Sequence, residues 1–427
     1  MKKIIFLLIL FCTEKRLIAT FKTNLTGTSY NKVAHERNTD IAEKKPFVSV
    51  YGELRASNPI DLISLYFQYN IPTDKVTVTQ TGGGTVTQGN GLMTLTALNN
   101  NDVARTETKA AINYIPGHEI NGFFTAAFLH GGYANTYQYI GIFNTQDGFA
   151  IGYNGTNYGI MYRYNEADTF INQSDFNVDK LDGTGPSNFI IDPSKINIYF
   201  ISFGWLGVAS IEFHVIREDG LWVLFHQIQT VNNRETPTVL NPSLPIRAET
   251  VNEGGGNNPI AIATASWMGG ISGGALIPNR EWSYIYPTEI TINSTIKPLL
   301  LRSKSLFNGK TSTARSRLLY ISVAGRNSGT TFSIKIYKNP TLNVAGTFTN
   351  IDTNFSVVEY STNTTITANG TLVFAASGYG QGNNNIFFIP NNIFINFYPS
   401  ETILIELSEY GSGNVNATLS LGWEEYY

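Results

Sequence analysis

The chain has 427 residues, a formal net charge of -3 and a pI near 6.0, a balance without the basic field that grips a nucleic-acid backbone, so nucleic acid is not an expected partner. Its one cysteine, Cys12, excludes an intrachain disulfide framework and any multi-cysteine zinc site. Charged residues make up only 14% and aromatics 13%, and the polar remainder is mostly Asn, Thr, Ser and Gly, the composition of strands and tight turns.

The amino terminus, "MKKIIFLLILFCTEKRL", places an apolar run from Ile4 to Cys12 between charges. It has the outline of a signal peptide ending near Thr20, which would make the protein secreted. Against that, the run is short and Glu14, Lys15 and Arg16 follow at once. It is also far below the roughly 20 apolar residues that span a bilayer. Signal, anchor and packed strand therefore stay open. Residues 13–45 carry both charge signs and no apolar period, and read as an irregular arm.

From Pro46 the pattern becomes short β-like runs. "KVTVTQTGGGTVTQGNGLMTLTAL" alternates Val and Leu with Thr and Gln around glycine-rich turns. "QYIGIFNTQDGFAIGYNGTNYGIMYRYN" repeats this, with Gln146-Asp147-Gly148 and Asn154-Gly155 as hairpin centres. Further runs are "INIYFISFGWLGVASIEFHVI", "LWVLFHQIQTV" and "LPIRAETVN", and near Lys297 the series restarts and supplies seven or eight short strands up to Tyr427. No amphipathic helix and no fixed-period repeat interrupts it. The expectation is an all-β fold: two antiparallel β-sandwich domains, of jelly-roll or lectin-like type, over 46–295 and 296–427, after an arm over 1–45.

Candidate chemistry centres on Glu212, His214 and His226. With Asp219-Gly220 as a two-residue turn, His226 faces Phe213 and the histidines lie on opposite faces; a three-residue loop instead sets Glu212 opposite His226. In neither register does a nucleophile or a third group join them, so the residues are expected to be polar positions on a structural hairpin, and not to line one pocket. The histidines His35, His118, His130, His214 and His226 show no metal-binding spacing. The glycine clusters "TGGGTVTQGNG", "EGGGNNP" and "GGISGG" lack the lysine and the helix of a phosphate loop. Asp168, Asp175, Asp179, Asp182 and Asp192 lack the calcium-hand pattern and are expected to line a solvated loop. No catalytic, metal or cofactor residue is thus expected. The aromatics of "SYIYP", "FFIP" and "NFYP" suit sandwich ends, a subunit interface or a sugar-stacking platform. Glycosylation sequons stand at Asn24, Asn154, Asn172, Asn293, Asn354, Asn363, Asn369 and Asn416, and matter only in a glycosylating compartment.

Three stretches, "YIGIFNTQDGFAIGYNGTNYGIMYR", "DKLDGTGPSNFIIDPSKINIYFISFGWLGVASIEFHV" and "NPSLPIRAETVN", together with "IKIYKNPTL", "VVEYST", "GTLVFAAS" and "ATLSLGWEE", resemble virion structural proteins of tailed phages and large double-stranded DNA viruses, over about residues 50 to 427. The resemblance implies a non-enzymatic minor capsid, capsid-decorating, tail or fibre component located in the virion. Its implied partners are other virion proteins and further copies of itself, with a trimer one such assembly. It supplies no catalytic residue. The alternative expectation is a lectin-like module that attaches to a host glycan through loop aromatics.

Overall fold

A computed structural model describes residues 49, 59–206, 208–254, 258–273, 279–326, 330–343, 346–379, 384–388, 395–411 and 413–427. The amino-terminal apolar run with Cys12, the arm over 1–45 with Asn24 and His35, and the side chains of "FFIP" lie outside these residues. The protein is all-β, and its sheets are antiparallel throughout the registers described. The alternation read in the sequence is the alternation of burial: Leu92–Ala97 and Asp102–Thr108 turn every second residue into the interior.

The first sandwich faces a nine-stranded sheet against a seven-stranded one. The nine-stranded sheet runs Trp222–Ile228, Ile211–Ile216, Asn197–Phe203, Ile120–Phe128, and there splits into two branches. One branch is Ser266–Ile271 with Ile60–Tyr66; the other is Ile260–Thr264, Leu92–Ala97 and Thr85–Gly89. The seven-stranded sheet runs Ala167–Asn172, Asn157–Tyr164, Gly148–Asn154, Thr136–Phe143, Ile246–Asn252, Asp102–Thr108 and Val76–Thr81. One core joins the sheets: Phe124, Tyr199, Phe203 and Trp267 from the first meet Ile140, Phe149, Ile160 and Ile246 from the second. Each such side chain contributes about 1.5–3 kcal/mol on burial. Asn90-Gly91 is the turn its dipeptide predicts, whereas the next hairpin turns one residue later than expected, at Gly155-Thr156, because Asn154 still pairs with Asn157. Asn90, Gly91 and Gly155 take φ of 53, 77 and 59°, values that suit Asn and Gly.

The second sandwich has two six-stranded sheets around a core that includes Leu301, Ile321, Ile334, Ile405, Leu421 and Trp423. Its sheets begin earlier than the expected break at 295/296. Arg280–Ile285 and Ile290–Ile292 both pair with Val415–Tyr426, the strand at the carboxyl end, so residues 280–292 belong to the second sandwich. The restart of β pattern near Lys297 marked the next strand, Ile296–Ser303, instead. Across the junction Lys109 Nζ meets Glu401 Oε1 at 2.9 Å, and Asn113 Nδ2 donates to the Tyr426 carbonyl at 3.4 Å.

Candidate functional site: the outer face of the seven-stranded sheet

The hairpin candidates Glu212, His214 and His226 separate. The Ile211–Ile216 and Trp222–Ile228 hairpin closes through Glu218, Asp219 and Gly220, with the Arg217 N–H donating to the Leu221 carbonyl at 2.8 Å. This is the three-residue loop, and its register pairs His214 with Leu224. A β-bulge at Phe225 then shifts the ladder by one residue, so Phe213 faces His226 and Glu212 faces Gln227. The bulge lets Phe213 and Phe225 both enter the core. Glu212 Oε2 and His214 Nε2 meet at 3.1 Å on one face of the sheet. His226 lies on the other, against Phe176 and Phe213, with its Nδ1 accepting from the Asn177 N–H at 3.3 Å. Burial pushes the His226 pKa down to about 4.

The aspartates of the 168–192 region do not converge either. Asp179 accepts from the Leu181 and Ser187 N–H groups, Asp182 from Thr184, and Asp192 from Ser194, each shaping its own turn. No group of three or more His, Cys, Asp or Glu able to hold a metal occurs among the described residues. Of the aromatic motifs, Tyr284 packs against Tyr360 with ring centroids 4.5 Å apart and planes tilted by 42°, Phe397 enters the second core, and Tyr398 stands at the domain junction.

The site that strand order builds lies elsewhere, on the face of the seven-stranded sheet turned away from the core. Pairing sets Arg105, Glu249, Tyr139, Gly152, Gly159 and Asn172 in one row across six strands. The next row holds Glu107, Arg247, Gly141, Ala150, Met161 and Phe170, and a third holds Phe143, Gly148, Arg163 and Asp168. Tyr139, Phe143, Ala150 and Met161 form an apolar cluster separate from the main core, with Tyr137 and Phe170 packed on it.

The glycines give this face its shape. A Cβ at Gly152 would fall 1.7 Å from the Gln138 carbonyl oxygen, and one at Gly159 would fall 2.1 Å from that of Ile171 and 3.0 Å from Phe170 Cε1. Two neighbouring strands therefore carry no side chain in the row, and the rings of Tyr139 and Phe170 lie down towards each other across them. Ring centroids are 6.3 Å apart for Tyr137 and Tyr139 and 6.4 Å apart for Tyr139 and Phe170, the rings tilted by 36° and 41°, so that half-buried Tyr137 and Phe170 flank a buried Tyr139 in one aromatic row.

Beside the platform lie three guanidiniums and three carboxylates. Arg247 Nη2 meets Glu249 Oε2 at 2.6 Å and its Nη1 meets Glu107 Oε2 at 3.4 Å; Arg105 Nε reaches the same Glu249 oxygen at 2.9 Å. Arg163 grips Asp168 with Nε and Nη2, at 2.6 and 2.9 Å. The guanidiniums of Arg163 and Arg247 lie 5.6 and 5.2 Å from the Phe143 ring centroid, within cation–π reach. Burial raises the pKa of Glu107 against the pull of Arg247 and Arg105. Burial pushes Glu249 up as well, but Arg247, Arg105 and Arg163 outweigh it and hold its carboxyl below the usual range. Arg247 Nε is buried without a hydrogen-bond partner among the described residues.

Sequence reasoning missed this site. Its signal was present in opposite charges two residues apart inside otherwise apolar runs, Arg247 and Glu249 in "IRAETVN" and Arg105 and Glu107 in "VARTET".

No family model and no curated protein matches the chain. Solved structures resemble half of it. The cellulose induced protein Cip1 matches at 12% identity and a TM-score of 0.32, over 49% of this chain and 96% of that one. Lectin II from Ulex europaeus matches at 10% identity and a TM-score of 0.32, over 50% of this chain and all 100% of that one. The Emp47p carbohydrate recognition domain matches at 12% identity and a TM-score of 0.34, over 52% of this chain and 100% of that one. At these scores the likenesses carry no functional argument, and the β-sandwich stands on the strand order and the core described above.

Proposed function

We propose that the chain is a non-enzymatic carbohydrate-binding protein whose ligand lies on the outer face of the seven-stranded sheet. The observation that carries this reading is the juxtaposition of the half-buried Tyr137 and Phe170 rings, packed on buried Tyr139, with the partly exposed polar groups of Arg105, Glu107, Arg163 and Asp168. Sugars present an apolar C–H face and a rim of hydroxyls. Rings stack on the first, while carboxylates accept from and guanidiniums donate to the second. A buried ion network is a poor device for stability alone, since well-packed apolar residues would serve as well, which favours a recognition role for this one.

Within that network Glu249 is not placed to act in hydrolysis. A glycosidase needs one carboxylate free to attack or to activate water. Glu249 Oε2 is instead held by two guanidiniums. The resemblance to virion structural proteins supplies the setting we propose: a particle-surface component, assembled with other virion proteins, that attaches to a host glycan. Affinity electrophoresis through gels carrying soluble polysaccharides tests the binding. Retardation of the wild type by at least one polysaccharide, lost in Phe170→Ala and Tyr137→Ala, is expected; equal mobility of all three proteins in every gel would refute it.

A further inference from the structure

We propose that the ligand surface continues from the sheet face into the cleft between the sandwiches, so that this protein takes an extended oligosaccharide rather than a single terminal sugar. This rests on the sheet-face reading above. Two cavities carry it. The smaller, about 280 Å³, touches the charged row at Glu107 and is walled on the far side by Thr311, Ser312 and Ser400 of the second sandwich. The larger, about 750 Å³, runs on between the sandwiches. Thr108, Lys109 and Tyr398 line both, so the sheet face, the small cavity and the large one are contiguous.

The lining has the chemistry of a polyhydroxylated chain. Hydroxyls supply paired donors and acceptors in the small cavity. The half-buried Tyr398 ring stands where the two cavities meet and offers a stacking face. Two of the lysines lining the larger cavity are already engaged: Glu401 receives Lys109 at 2.9 Å and Lys338 at 2.7 Å. Glu401 thereby ties lysines from both sandwiches together and fixes the walls before a ligand arrives. Cavities of this size at a domain junction are where ligands lodge in other proteins.

The test is titration calorimetry with chito-oligosaccharide and hyaluronan ladders of two to eight sugars, on wild type, Thr311→Trp and Tyr398→Ala, each with its melting temperature as a folding check. In at least one ladder the hexamer is expected to bind ten-fold or more tightly than the dimer. Thr311→Trp, which fills the small cavity from outside the sheet face, should bring the hexamer to the level of the dimer and leave the dimer unchanged, and Tyr398→Ala should weaken only the longer members. Dimer and hexamer of equal affinity, or a gain with length that survives both substitutions, would overturn the continuation while leaving the sheet face standing. Binding of no member in either ladder, with no retardation in any polysaccharide gel, would remove the sheet-face reading, and this inference with it.

Discussion

Arg247 and Glu249 stand two residues apart on one strand, and their side chains meet at 2.6 Å on the face turned away from the core, with only 1% and 5% of each exposed. Desolvating such a pair costs several kcal/mol per ion, and its mutual attraction offsets that only while both partners are present. Glu249→Gln should therefore destabilise the protein by about 3 kcal/mol or more in urea unfolding, because it strands Arg247 and Arg105. The double substitution Arg247→Met with Glu249→Leu should recover most of that loss and still abolish sugar binding. A double variant no more stable than the single one would contradict the pairing.

His226 sets an acid limb of stability. Its folded pKa, pushed by burial to about 4, lies below the ordinary value of 6.5, so the fold holds the neutral ring. Stability is fully present above pH 6.5 and is lost as pH falls towards 4. At about 1.4 kcal/mol per unit, the shift from 6.5 to about 4 corresponds to a loss of at most about 3.5 kcal/mol. Glu249 and Glu401, whose pKa values lie below the ordinary 4.5, act only at lower pH. His226→Gln should remove the fall between pH 6.5 and 4.5, where Glu107 and Glu425, raised by burial, act in the opposite direction, and leave the limb below it. An unchanged slope in that window would show that another group carries it.

At the domain junction, Glu401 holds Lys109 and Lys338 and also accepts from Asn339 Nδ2 at 3.2 Å. Replacing it with Ala leaves two ammonium groups facing each other without their counter-charge. In differential scanning calorimetry the Glu401→Ala protein should show the two sandwiches melting as separate transitions, or a lower single transition. A trace superimposable on wild type would mean that the ion triad does not couple them.

The two faces of the first sandwich should differ in function. Glu212 and His214 belong to the nine-stranded sheet, on the side opposite the aromatic platform. Glu212→Gln is expected to leave sugar affinity within two-fold of wild type, whereas Phe170→Ala lowers it at least ten-fold. A loss with Glu212→Gln would move the site to the other sheet.

Much of the fold was legible because strands and turns leave local marks. Asn90-Gly91 announces its turn, and Asn154-Gly155 announces one displaced by a residue, since few other residues accept the left-handed backbone found at Asn90, Gly91 and Gly155. The bulge at Phe225 left no mark in "WVLFHQI", because it is decided by which aromatic side chains the core accepts. For the same reason neither hairpin register alone described the strand pair. The boundary near 295 was misplaced because Arg280–Ile285 finds its partner more than a hundred residues away, a pairing that no local pattern encodes. The sheet-face site was invisible for a related cause: its ionic groups come from four strands spread between Asp102–Thr108 and Ile246–Asn252, and only the strand order brings them together.

The most direct test of the central claim is a glycan array probed with the wild type, the Tyr137→Ala and Phe170→Ala double variant, and Glu212→Gln. The account predicts binding by the wild type and by Glu212→Gln to the same set of glycans, and none by the double variant. No glycan bound by the folded wild type, or a set retained in full by the double variant, would contradict it.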